Sequence, residues 1–217
     1  MDLVLIRHPA VAVPAGVCYG RSDVALAGDP DAAAADLGRR LAALRAPLPR
    51  WVVTSPLARC ARVAAALADA HGLDLHADAR LAELDFGAWE LCAWDAIARD
   101  QLDAWAADLL HARAHGGESV AQFAARVGAA VDALVGRVSG DAGAATARGV
   151  GASAAINPVA PAIWAVTHSG VMRAIASRAL DVPLARAMRW PLEMAAIVWL
   201  RVDPRDDGGW RLVRWNA

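Results

Sequence analysis

Residues 2–8 read "DLVLIRH". Leu3 to Ile6 have the length and composition of a buried strand, and the apolar run breaks off at Arg7, His8 and Pro9. Outward from that stretch the pattern repeats. Strand-like segments recur at 51–55 (WVVTS), 73–78 (LDLHAD), 162–168 (AIWAVTH) and 195–202 (AAIVWLRV), with helical periodicity between them. The clearest helix signal is "SPLARCARVAAALADAHG", with Ser55 as N-cap, Pro56 at the first helical position and Gly72 just past the end. Further helices are expected at 31–44, 95–110, 119–138 and 169–180, the last opening directly from a strand. This alternation predicts an α/β fold, a three-layer αβα sandwich with a mainly parallel central sheet. The tail "GGWRLVRWNA" reads as a last edge strand.

Composition narrows the functions available. A chain of 217 residues that is 57% hydrophobic and 21% charged is expected to form one globular domain over 1–217. Its formal charge is -1 and all 22 basic residues are arginines, placed singly or in pairs. No basic stripe exists for a nucleic-acid backbone or an anionic membrane, so neither is an expected partner. Cys18, Cys60 and Cys92 form no CxxC, which suits a reducing compartment, and each reads as a small buried hydrophobe. An acidic residue at position 2 and Arg7 after four apolar residues do not make a signal peptide, and no run of ~18 apolar residues suggests a membrane span. The expected location is the cytoplasm. Oligomeric state is not legible.

The stretch at about 140–161, "GDAGAATARGVGASAAINPVAP", is Gly/Ala-rich, has no period and reads as a surface connection. Gly149 and Gly151 there fit GxGxxA, but the strand and helix that a dinucleotide site requires do not flank them.

Chemistry collects at strand ends. Ligands of parallel α/β sheets bind beyond the carboxyl ends of the strands, and three such ends carry Arg7-His8, Ser55 leading to Arg59, and His168-Ser169. Arg59 and Arg62 sit early in a helix, where its dipole disfavours a cation, so a negative group is expected nearby. Ser169 and Gly170 open another helix whose exposed amides suit phosphate. A phosphoryl group would relieve the repulsion among these charges.

Other candidates carry less. His71 and His76 match no ligand spacing. His111 and His115 have the i, i+4 spacing of zinc ligands, but Gly116-Gly117 ends the helix and no third ligand is evident. They read as solvated histidines, and no metal site is expected. The nine tryptophans are most simply core and rim packing, with Trp89 and Trp94 as minority candidates for flanking a substrate ring. A proton donor is needed, and "RLAELDFGAWE" offers Glu83, Asp85 and Glu90. Spacing leaves that choice open.

"LIRHP", "CYGRSDVAL", "SPLARCARVA", "AELDFGAWE", "GGES" and "VTHSGVMRAI", in that order, resemble the histidine phosphatase superfamily, which includes the cofactor-dependent phosphoglycerate mutases. The resemblance spans roughly residues 2–182 and is most like the α-ribazole phosphatases of cobalamin synthesis, where "YGRSD" follows the RHG or RHP segment. It implies the phosphoglycerate mutase-like fold, with His8 as the nucleophile that becomes a phosphohistidine. Arg7, Arg59 and His168 would hold the phosphoryl oxygens, and Glu83 would be the general acid. Ser22 and Ser169 would add hydrogen bonds to the phosphate. Neither cofactor nor metal is implied, and the partner would be a small phosphorylated metabolite.

Two positions depart from the pattern. Pro9 stands where many members have Gly, and Leu91 replaces the usual Gly after "WE", which puts the leaving-group pocket in question more than the phosphate pocket. Mutases of the family typically carry Asn six residues after the nucleophile; Pro14 occupies that place and favours a phosphatase. The expected substrate is α-ribazole 5′-phosphate. The alternatives are a broad-specificity phosphatase, a mutase-type phosphotransferase, and a catalytically silent phosphate-binding regulator.

Overall fold

Asp2–Arg7 forms β1 at the heart of a six-stranded sheet. The computed structural model describes residues 1–147, 161–202 and 209–217. The remaining strands are β2 (Trp51–Thr54), β3 (Asp74–Ala77), β4 (Ala162–Thr167), β5 (Ile197–Val202) and β6 (Trp210–Arg214). They lie in the order β3-β2-β4-β1-β5-β6. β1, β2, β3 and β4 run parallel, while β5 is antiparallel to both β1 and β6. The sheet is therefore mainly parallel, and its tail is the expected edge strand.

Alternation along the central strands sorts the core into two layers. Val4, Ile6, Val52, Trp164 and Val166 face helices α1 (Pro30–Ala43) and α2 (Ala58–His71), which supply Leu37, Leu41, Val63 and Leu67. Leu3, Leu5, Val53, Ile163 and Ala165 face α4 (Val120–Ala147) and α5 (Ser169–Ala179), which supply Phe123, Val127, Met172 and Ile175. Two short helices complete the set: α3 (Arg99–Ala107) and α6 (Leu184–Ala187).

Several boundaries differ from expectation. α2 begins at Ala58, not at Pro56; Ser55 lies outside it, and its Oγ accepts the Leu57 N–H at 3.3 Å. The first α2 amide is capped from outside by Asp23, whose Oδ1 accepts the Ala58 N–H at 2.7 Å. That carboxylate supplies the negative group expected at this helix end. The helix expected at 95–110 is a single 3-10 turn, Trp94–Ala96, followed by α3 alone. Ile97 lies between them in extended conformation, nine-tenths buried under the aromatic cluster, and this packing overrides helical continuity. α4 opens on a capping box: Ser119 Oγ accepts the Gln122 N–H at 3.1 Å while Gln122 Oε1 accepts the Ser119 N–H at 3.0 Å. It runs on to Ala147, so the first eight residues of the stretch at 140–161 are helical. Alanine, the strongest helix former, carries the turns past the glycines there. The Gly149/Gly151 pattern lies outside the described residues.

Leu91 explains the missing glycine. The extended bridge between Val17 and Ala93 carries a bulge in which Leu91 and Cys92 together oppose Cys18. Leu91 donates its N–H to the Cys18 carbonyl at 2.7 Å and holds φ at +62°, left-handed space in which a glycine is unstrained. Its side chain is 59% exposed and returns little packing. Leu91→Gly should therefore stabilise the protein by about 1 kcal/mol. A thermal melt should show Tm rising by roughly 2–4 °C; an unchanged or lower Tm would mean that the leucine side chain compensates for the strain.

Candidate active site

The carboxyl ends of β1, β2 and β4 are brought together by backbone pairing. The His8 N–H donates to the Thr167 carbonyl at 2.9 Å, and the Ser55 N–H to the Val166 carbonyl at 3.0 Å. His8, Ser55 and His168 thus meet at one edge of the sheet, and the His8 and His168 ring centroids lie 5.2 Å apart. An open cleft is lined there by Arg7, His8, Arg59, Glu83, Ser169 and Gly170. Tyr19, Phe86, Trp94, Phe123 and Met188 form its apolar wall, and Arg173 adds a further cation.

His8 is almost fully buried, and its Nδ1 donates to the Pro9 carbonyl at 2.7 Å. That bond assigns the ring proton to Nδ1 and leaves Nε2 with its lone pair. Burial, the largest cause, lowers the His8 pKa to about 3, aided by the Arg59 and Arg7 charges and opposed by the Pro9 hydrogen bond. The ring is neutral at physiological pH, the state in which an imidazole attacks.

Arg59 is completely buried. Its NH1 donates to the Ser22 carbonyl and its NH2 to the Gly20 carbonyl, both at 2.6 Å, and its Nε to His168 Nδ1 at 3.2 Å. The "YGRSD" loop therefore seats this guanidinium with backbone carbonyls. It needs Gly20, where a Cβ would lie 1.9 Å from the Leu84 carbonyl oxygen. Of the five guanidinium N–H groups, two remain for a ligand. On β1, Arg7 donates NH1 to the Leu192 carbonyl, while its buried Nε has no protein partner. A buried unpaired donor is costly unless a ligand occupies it.

His168 is also fully buried, and burial first, then Arg59 and His8, hold its pKa well below the ordinary imidazole value. Its Nε2 donates to Ser55 Oγ at 2.8 Å while its Nδ1 accepts from Arg59. Both nitrogens are thus engaged, and the ring buttresses Arg59 from behind the cleft wall. Ser22 is turned the same way: its hydroxyl donates to Glu90 Oε2 at 2.6 Å, and only its carbonyl serves Arg59. Ser169 lines the cleft as the first residue of α5.

Geometry separates the three acids that spacing left open. Glu83 reaches the cleft, where its Oε2 accepts the Gly170 N–H at 2.9 Å at the start of α5. A Cβ at Gly170 would fall 2.3 Å from Glu83 Oε1, so a side chain there would push this carboxyl out of its position. Asp85 caps its own turn, accepting the Gly87 N–H at 2.8 Å. Glu90 is a clamp: it accepts from the Arg21, Ser22 and Phe86 amides and from the Ser22 hydroxyl. "GGES" also gains a role, since Glu118 pairs with both forks of Arg126 at 2.7 Å, and Arg126 donates to the carbonyls of Arg80, Ala82 and Glu83. Neither the Glu90 clamp nor the Arg126 clasp, nor Arg173 in the cleft, has a periodicity or spacing that would reveal it.

The remaining sequence candidates lie apart. His111 is exposed beside Asp108, but His115 is buried, not solvated, against Trp89, Trp105 and Phe86. The Gly116-Gly117 turn folds it inward, and its Nδ1 accepts the Gly117 N–H at 3.0 Å. Trp94 lines the cleft, whereas Trp89 is core. Cys18 and Cys60 are buried; Cys92 is half-exposed. Among the described residues, no helix is long and apolar enough to cross a membrane.

The description of the histidine phosphatase superfamily (branch 1) matches residues 3–217. The chain belongs to that superfamily. Its fold is similar to that of the mycobacterial glucosyl-3-phosphoglycerate phosphatase, with 28% identity, a TM-score of 0.76, and coverage of 100% of this chain and 98% of the other. A structure called mycobacterial hydrolase 2 matches at 28% identity and TM-score 0.75, covering 100% and 90% of the two chains. The α-ribazole phosphatase from Shigella flexneri, at 22% identity, TM-score 0.76 and coverage of 100% and 96%, shares the fold. The mycobacterial glucosyl-3-phosphoglycerate phosphatase has also been solved with inorganic phosphate and with VO3. No curated protein matches the chain.

Three neutral buried histidines set an acid limit on this histidine phosphatase. A lowered folded-state pKa means the unfolded chain takes up the proton first, so the stability is complete above about 6.5 and lost as pH falls. For His8 the window runs from 6.5 down to about 3. Between pH 7 and 5 the wild type should lose roughly 2 kcal/mol more stability than His8→Asn, read as urea midpoints at each pH. Parallel pH profiles would show that the folded protein protonates His8 as readily as the unfolded chain does.

Proposed function

We propose that the chain hydrolyses phosphomonoesters through a phosphohistidine on His8. The observation that carries this is the His8 Nδ1–Pro9 carbonyl bond, which leaves Nε2 unprotonated in a cleft that also presents Arg7, Arg59 and Glu83. Nε2 attacks phosphorus, the phosphorus–oxygen ester bond breaks, and Glu83 gives its proton to the departing alkoxide. Water then attacks the phosphorus–nitrogen bond, Glu83 takes a proton back, and phosphate and a neutral imidazole result. The unpaired Arg7 Nε and the two remaining Arg59 N–H groups serve the equatorial oxygens, with the Ser169 amide at the start of α5 beside them. His168 acts by orienting Arg59.

The substrate we propose is α-ribazole 5′-phosphate. Its aromatic base matches the wall made by Tyr19, Phe86, Trp94 and Met188. Arg173 favours a second reading, a phosphorylated or glycosylated glycerate whose carboxylate meets that guanidinium.

His8→Ala should abolish turnover, and acid-labile phosphoryl label should be trapped on wild type but not on the variant; an active variant would overturn the reading. Glu83→Gln should slow alkyl phosphates by about 100-fold or more while costing p-nitrophenyl phosphate far less, because that phenolate leaves unprotonated. Equal losses would assign the acid elsewhere. Comparison of kcat/KM for α-ribazole 5′-phosphate, 3-phosphoglycerate, glucosyl-3-phosphoglycerate and a nucleoside monophosphate decides the substrate. A preference of about 100-fold for the ribazole ester, roughly 2.7 kcal/mol, is the expected result.

A further inference from the structure

Two thiols that the phosphatase chemistry does not use stand opposite each other at the wall of the cleft. Cys18 is buried and lines the cleft; Cys92 is half-exposed and packs into the same small apolar cluster. Val17 and Ala93 form an antiparallel bridge, and at the bulge beside it the Cys18 N–H donates to the Cys92 carbonyl at 2.8 Å while the Cys18 carbonyl accepts the Leu91 N–H. A residue whose N–H bonds the carbonyl of the residue across from it holds its Cα roughly 5.5 Å from that residue's, inside the roughly 4.4–6.8 Å window of disulfides. Both side chains pack into one apolar cluster, where the Cys92 Sγ also donates to the Ala88 and Glu90 carbonyls at 3.6 and 3.8 Å. Cys60 is remote from this arrangement, sealed in the core between the sheet and α1 and α2.

We propose that Cys18 and Cys92 form a reversible disulfide that acts as a redox latch on the cleft, with a low-molecular-weight disulfide of the glutathione type as oxidant. The Cys92 thiolate attacks one sulfur of RS–SR; that bond breaks, RS⁻ leaves and a mixed disulfide forms on Cys92. Cys18 then loses its proton to solvent and attacks the Cys92 sulfur, expelling the second RS⁻. The thiol pair gives up two electrons, RS–SR gains them, and two RSH result. Burial and the Glu90 carboxylate push the Cys18 thiol up to about 12, so Cys92 is the entry point and ring closure, the slow step, accelerates with pH. The crosslink ties Cys18 to the Glu90 turn and takes its sulfur out of the cleft wall. Tyr19 and Gly20, which follow it, form that wall and seat Arg59.

The latch's effect on turnover rests on the phosphatase reading; the crosslink does not. Native protein is treated with excess oxidised glutathione, quenched in acid and measured by intact mass and non-reducing peptide mapping. Wild type should lose two hydrogens and yield a peptide pair joining Cys18 to Cys92, reversed by dithiothreitol. Cys18→Ser should stop at a mixed disulfide on Cys92, and Cys92→Ser should take up no glutathione. Oxidation should lower wild-type kcat/KM for p-nitrophenyl phosphate by at least about threefold, with recovery on reduction and no change for Cys92→Ser. A wild-type mixed disulfide that never closes, label on Cys60, or a closed crosslink with unaltered turnover would each overturn the proposal. A protein inactive from the start would fail the phosphatase reading while the mass measurement still decided the crosslink.

Discussion

Everything at this site depends on keeping one guanidinium charged in a place without water. Arg59 is fully enclosed, and moving an unpaired cation into such surroundings costs several kcal/mol. The fold meets that cost with three acceptors drawn from two parts of the chain: the Gly20 and Ser22 carbonyls after β1, and a His168 nitrogen at the end of β4. Because α2 carries Arg59 itself, the sheet ends, the "YGRSD" loop and the helix have to dock together or not at all. Burial, reinforced by the positive field that results, keeps His8 and His168 neutral.

A second layer of ionic contacts holds that loop in place. Glu90 gathers four donors from the 21–22 and 86 backbone and from the Ser22 hydroxyl, joining the two loops that flank the cleft mouth. Glu118 and Arg126 do the same on the opposite side of the acid, where Arg126 ties down the carbonyls that precede and include Glu83. Carboxylates that look alike in sequence thus divide into one that lines the cleft and others that position it. Leu91 follows from this arrangement: turning the chain out of the Glu90 clamp requires left-handed backbone, whichever residue occupies it.

Legibility in the sequence tracked locality. The strands, the parallel alternation and the edge tail were readable because apolar alternation and helix periodicity are properties of short windows. The end of α4 and the short α3 were not, since alanine propensity in one case and the burial of Ile97 in the other outweighed the visible punctuation. His115 shows the same limit. The helix end at Gly116-Gly117 and the lack of a third metal ligand suggested a solvated ring, but that glycine turn folds it under three aromatic rings.

The sequence by itself determined which residues stand at the carboxyl ends of β1, β2 and β4, and so that Arg7, His8, Arg59 and His168 would share one edge, because strand direction in a parallel sheet leaves no other outcome. Only the tertiary structure decided their division of labour. Which acid among Glu83, Asp85 and Glu90 enters the cleft, which serine hydroxyl turns away, and which histidine keeps a free nitrogen depend on hydrogen bonds between residues up to 113 positions apart. The long-range bonds among them are set by how the packed layers bring loops together, and no local window of the chain contains both partners.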